Sequence, residues 1–207
     1  MLVLAPQYMG SVEYYATMAA HSVAVIDVAM RHDKRFKSAH RTVIAGNAGP
    51  LQLTVPVVHG PGQHTWQDVA VSDHNKWWHQ HRTAIESAYG RCPYFEHYYP
   101  EIAALLTEDA VGQSVVTLDT RLDATLRRLL GITTRLSATV PPGTDPATVT
   151  DLRDPARLTQ DHRVAPYRQL RQDTLGFLPH MSVLDILFNL GPNALRTLAG
   201  RDSICEL

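Results

Sequence analysis

The opening stretch constrains the fold most. Leu2-Val3-Leu4-Ala5 is a short apolar run stopped by Pro6, and Val23-Ala24-Val25-Ile26-Asp27-Val28 is a second such run. Between them Ser11 can cap a helix through His21, with Val12, Tyr15, Ala16 and Ala19 at helical spacing. Strand, helix and strand within roughly thirty residues make a βαβ unit, with parallel strands and a right-handed crossover.

Downstream, Thr42-Val43-Ile44-Ala45 and Leu51 to Val58 flank a Gly/Asn turn and read as a hairpin. Leu51, Leu53 and Val55 alternate with Gln52 and Thr54, so that set is expected to face the core. Val69 to Val71 is a further short strand, and Asp73 is placed to cap a helix from Trp77 to near Gly90. Helices follow over about Tyr94 to Leu106 and Gln113 to Leu130, the second closed by Gly131; Ile132 to Val140 is extended. Residues 141–157, rich in Pro, Asp and Thr, read as a mobile surface loop. Ser182 opens the last long helix, which Gly191-Pro192 stops. The expectation is one α/β domain over residues 1–207, with an N-terminal mixed sheet opened by the βαβ unit and a largely helical C-terminal half from residue 73.

The chain has 207 residues, a formal net charge of -1 and no basic excess of the kind a dedicated nucleic-acid binder carries. No apolar run approaches the roughly 18 residues of a spanning helix, and the N-terminus lacks a signal-peptide pattern. Two distant cysteines, Cys92 and Cys205, do not make a disulfide scaffold, so a reducing cytoplasm is expected, with Cys92 a packing residue. Eleven histidines invite a metal site. His79 and His81, however, are separated by about 200° on a helix, and neither HExxH nor paired CxxC occurs. No metal is expected, and no cofactor can be named; GxGxxG and GxxxxGK[ST] are both missing.

Four groups of residues stand out. The turn after the first strand offers Gln7, Tyr8 and Ser11 beside a helix N-terminus, an arrangement suited to an anion. The cationic stretch Arg31 to Arg41 supplies Lys37 and Arg41, the latter held near the sheet. On the Trp77 helix, Trp77–His81–Ile85 share one line and Trp78–Arg82–Glu86 another, with Arg82 and Glu86 able to pair. His81 or Glu86 there can serve as a base, and Trp77 or Tyr89 can stack on a sugar. In the C-terminal run Gly176 to Asn189, Ser182 and Asp185 resemble a capping box. Asn189, one turn on, is a structural latch or a substrate ligand. If the two helices build one site, His81 or Arg82 should approach Asp185 or Asn189.

The residues quoted also resemble a known family. Pro6-Gln7-Tyr8, Ser11-Val12-Glu13-Tyr14-Tyr15, Leu53-Thr54-Val55-Pro56-Val57, His81-Arg82 with Ile85 to Tyr89, Pro93-Tyr94-Phe95-Glu96, and Gly176-Phe177-Leu178-Pro179 through Pro192 are similar to the WbqC-like family, in order along nearly the whole chain. Met9-Gly10 stands where many members carry a bulkier stretch. The resemblance implies a link to surface polysaccharide of the O-antigen type, with a suggested glycine-transferase role, and carries no catalytic residue set.

The resemblance implies a transferase moving an aminoacyl group, glycyl in the suggested role, from an activated small-molecule donor to a sugar acceptor. Gln7, Tyr8, Ser11, Lys37 and Arg41 would hold the donor's anionic part. The alternatives are a nucleotide-handling enzyme such as a nucleotidylyltransferase, and a non-catalytic adaptor of a polysaccharide-assembly complex. No nucleic acid or membrane insertion is expected, and oligomeric state is left open.

Overall fold

β1 (Leu2–Leu4) and β2 (Val23–Ile26) pair in parallel, with Leu2 opposite Ala24 and Leu4 opposite Ile26. The computed structural model describes residues 1–33, 36–58, 60, 65–137, 139–140, 143–161 and 164–200. β1 is fully buried, which is why it reads as an unbroken apolar run instead of an alternation. The crossover is α1 (Val12–Ala19), whose cap Ser11 accepts from Tyr14 N as expected.

Two antiparallel strand pairs and three helices follow. β3 (Arg41–Gly46) and β4 (Gly49–Thr54) form the hairpin, with Gly46 opposite Gly49 across the turn. β5 (Val57–Val58) pairs with β6 (Ala70–Val71) beyond Pro56. Leu53 and Val55 are buried, but Leu51, nearest the hairpin tip, is 43% exposed, so the expected inward face stops short of the turn. The helices are α2 (Trp77–Tyr89), α3 (Phe95–Ala103) and α4 (Val115–Leu130), the last closed by Gly131 in the left-handed region.

The α2 start departs from expectation. Asp73 makes no cap; Asn75 and Lys76 both take left-handed backbone, and Lys76 is the uncapped N-cap. Each such residue costs about 1–2 kcal/mol and the missing cap about 1. Burying Trp77 and Trp78 offsets this, at about 1.5–3 kcal/mol per large apolar side chain. Trp77 Nε1 also donates to Ser72 O and Gln80 Nε2 to Asn75 O, tying the irregular turn down.

Residues 141–157 are the second correction. Residues 141 and 142 lie outside the described ones, but the rest is not a plain loop. After β7 (Arg135–Ser137), the chain places β8 (Thr150–Asp151) and then starts α5 (Pro155–Asp161). β7 and β8 complete one parallel sheet in the order β7-β2-β1-β8. Thr150 N donates to Met1 O and Leu152 N to Val3 O, and the buried Leu152 anchors the segment. The parallel and antiparallel pairings therefore sit in separate sheets, and the α/β fold has its largely helical part in the second half. α6 (Gln172–Leu175), α7 (Val183–Leu190) and α8 (Ala194–Leu198) end the described chain.

One junction ties these layers together. Val12 N donates to Met181 O and Val183 N to Gly10 O, so the start of α1 and the start of α7 are bridged. Ser182 N donates to Val43 O at 2.6 Å, while Ser182 Oγ and Thr42 Oγ1 both donate to Met9 O. No helix among the described residues is long and apolar enough to cross a membrane.

Candidate active site

His81 is buried, with its Nδ1 2.8 Å from the Tyr8 hydroxyl and its ring 5.1 Å from that of Trp77. Burial pushes the imidazole down to about 4, a backbone contact with Thr54 opposing, so the ring is neutral at pH 7. Tyr8→Phe removes the phenol that partners this ring. We expect it to lower stability by about 1–3 kcal/mol in urea titration, the cost of an orphaned buried polar group, while leaving ligand affinity unchanged.

Other members of the expected site are spent inside the fold. Arg82 and Glu86 are not ion-paired; the exposed Glu86 accepts at 2.6 Å from the Tyr99 hydroxyl of α3 instead. An exposed intrahelical pair is worth only a few tenths of a kcal/mol, too little to compete. Trp77 and Tyr89 are buried and present no ring face to a sugar; Tyr89 Oη accepts from Ala45 N. Gln7 Oε1 accepts from Ser11 N at 3.4 Å while Ser11 caps α1, so the turn's own groups fill the expected anion cradle. Lys37 is exposed on a short 3-10 turn, and the half-buried Arg41 has its Nε buried without a partner. Lys34 and Arg35 lie outside the described residues, as does Cys205. Cys92 donates to Asn189 Oδ1 at 3.6 Å, and burial raises its thiol to about 12, which suits packing and not nucleophilic attack.

Asp185 does not close a capping box, because Ser182 N is taken by Val43 O. Its Oδ2 instead accepts from the Tyr167 hydroxyl at 2.6 Å and Gln169 Nε2 at 2.8 Å. Burial raises the Asp185 pKa, with Tyr167, Gln169 and Tyr89 opposing. Gln169 also clasps Leu178, donating to its carbonyl and accepting from its N–H. Asn189 Nδ2 donates to Asp185 O, making it a latch. Tyr89, and not His81 or Arg82, brings α2 to α7, packing on Phe188 at 5.3 Å beside Asp185.

That network holds two walls of a cavity of about 410 Å³, Tyr167 and Leu178. Val12, Val164, Phe177 and Pro179 add apolar surface, and Glu13 and His180 supply the charge-bearing groups. Glu13 sits in the first turn of α1, where the helix dipole favours a carboxylate. Its side chain is 6% exposed, and Oε1 lies 2.8 Å from His180 Nδ1. Glu13 Oε2 is buried with no partner. His180 is 56% exposed at the side chain and holds a left-handed backbone, φ 60°. Strain of this kind, of order 1–3 kcal/mol, persists where surrounding contacts impose it, and it clusters at functional sites. Here the chain is held on either side of that backbone by the Met181–Val12 bond and by the contact of His180 with Glu13.

A carboxylate on Nδ1 fixes the tautomer and leaves Nε2 free to take a proton, the orienting logic of an acid–base pair. Neither Glu13 nor His180 was singled out from the sequence. Each lies inside a stretch that was, Ser11 to Tyr15 and Gly176 to Asn189, but their separation of 167 residues hides the contact.

Compared with known proteins, the chain matches the model of the WbqC-like protein family over residues 5–152. That span includes Glu13 and stops short of His180. No curated protein and no solved structure gives a significant match.

Proposed function

The chain belongs to the WbqC-like protein family, and on that premise we propose a transferase in which His180, oriented by Glu13, deprotonates an acceptor held in the 410 Å³ cavity. The single observation carrying this reading is the Glu13 Oε1 to His180 Nδ1 contact at 2.8 Å, on the wall of that cavity. The volume falls within the range of small-molecule sites, and apolar walls with a few polar groups are their usual make-up. The family name supports a polysaccharide setting, which makes the acceptor a sugar of a surface polysaccharide; the aminoacyl group is the part of this reading that rests on the family's suggested glycine-transferase role. The sugar hydroxyl gives its proton to His180 Nε2 as its oxygen bonds to the donor's carbonyl carbon. The donor's leaving group departs with the electron pair of the bond it loses, and His180 returns the proton to it. Asp185, through Tyr167 and Gln169, is a positioning residue for the cavity wall. The buried His81–Tyr8 pair ties α2 to the turn after β1, away from this cavity.

The test compares His180→Ala, His180→Gln and Glu13→Gln with His81→Ala, following acyl transfer from an activated aminoacyl donor to nucleotide-sugar acceptors. His180→Ala should cost about 10²–10⁴ in kcat with KM and melting temperature nearly unchanged. His81→Ala should act through stability. Full turnover in His180→Ala, or a kcat loss confined to His81→Ala at unchanged stability, would overturn the assignment.

A further inference from the structure

A second cavity, of about 820 Å³, opens beyond the carboxyl ends of β2 and β8. Open parallel sheets present ligand sites at that edge, where strands stop and loops diverge. Three arginines line it from three segments: Arg31 after β2, Arg153 after β8, and Arg157 on α5. Arg153 is fixed in place. Its Nη1 donates to Asp27 Oδ2 at 2.8 Å and its Nη2 to Asp151 Oδ2 at 2.7 Å, so it spans from the β8 side to the β2 side.

Arg31 and Arg157 differ from it. Neither guanidinium makes a hydrogen bond or a contact ion pair among the described residues, although the charge of Arg157 acts on Asp151 and the backbone of each is held. Arg31 is bridged to Thr65, and Arg157 N donates to Asp154 O. Four aspartates also line the cavity, but Asp27 and Asp151 are committed to Arg153, and Asp154 Oδ1 accepts from Ala156 N. Asp33 has interactions of its own. The cationic side chains lining the cavity without a hydrogen bond among the described residues are therefore two planar forks flanking a third, and such forks match phosphoryl oxygens in pairs.

We infer that this cavity is a binding site for a diphosphate group, gripped by Arg31 and Arg157 with Arg153 as a rigid floor. The inference deepens the transferase reading by saying where the donor's phosphates are held, in place of the turn at Gln7 to Ser11. It rests on that reading only for the donor's role, because binding is measured without turnover.

The experiment titrates inorganic pyrophosphate, with magnesium present, into the intact protein by calorimetry at low salt. The wild type, His180→Ala, Arg31→Ala, Arg157→Ala and the double arginine variant are compared. Both arginines are exposed, so circular dichroism and melting should match the wild type. The expected result is a Kd below about 1 mM, weakened about tenfold or more by each arginine substitution and unmoved by His180→Ala. No measurable heat, or equal affinity in the double variant, overturns the site. Pyrophosphate bound with the arginine dependence, alongside full turnover in His180→Ala, would keep this site and discard the proposed base.

Discussion

Gly191→Ala is expected to remove about 3–5 kcal/mol of stability, a large part of the 5–15 kcal/mol that a domain of this kind possesses. Gly191 ends α7 with φ 53° and ψ -123°, a combination essentially closed to residues bearing a Cβ. A Cβ built there would also clash with the Tyr94 ring. Tyr94 cannot simply retreat, since its backbone N donates to Phe188 O on α7 itself. Backbone strain and displacement of Tyr94 therefore add. Thermal unfolding should show a melting temperature lower by about 10 °C or more. A shift under about 2 °C would mean that the chain relaxes here far more easily than its packing implies.

Asp119→Asn should do the reverse, and only at high pH. Asp119 is buried on α4 with both carboxylate oxygens lacking any hydrogen bond, facing Tyr14 in a space just large enough for a water. Burial, and then the charge of Asp123, hold its pKa well above the usual carboxylate range. Its folded pKa exceeds its unfolded value of about 4. The stability it permits is thus complete below about pH 4 and is lost as pH rises through the folded pKa. Asparagine keeps the shape, carries no charge and can donate towards Asp123 Oδ1, which also has no partner. Urea titrations should find the variant more stable by about 1–3 kcal/mol at pH 8, with the advantage gone at pH 4. Parallel pH profiles for variant and wild type would show that Asp119 is already solvated.

The legible parts of the sequence were those where one segment settles its own fate. β1, α1 and β2 bury apolar runs whose period and caps are local, and Ser182 and Gly191 mark both ends of α7 in the same way. The missed parts depend on partners distant in sequence. Thr150-Asp151 has no strand composition and becomes β8 only because Met1 and Val3 supply its hydrogen bonds. Asp73 looks like a cap, yet the burial of two tryptophans sets where α2 begins. For the site, a histidine among tryptophans drew attention to His81, although apolar surroundings are what keep an imidazole neutral and sealed. Glu13, by contrast, looks like an ordinary first-turn acid until His180 is brought against it.

The sheet order has a consequence in time. β1 is followed closely in the chain by its neighbour β2, but its other neighbour, β8, lies near residue 150. At about 5–20 residues per second, roughly 7–30 s of synthesis separate the two. Throughout that interval the central strand has one bare row of N–H and C=O groups, open to any extended segment that meets it. The same delay governs the cleft of the three arginines, whose β8 side does not exist until the sheet closes. A nascent chain therefore passes through a stage in which a strand buried in the finished fold is an open edge.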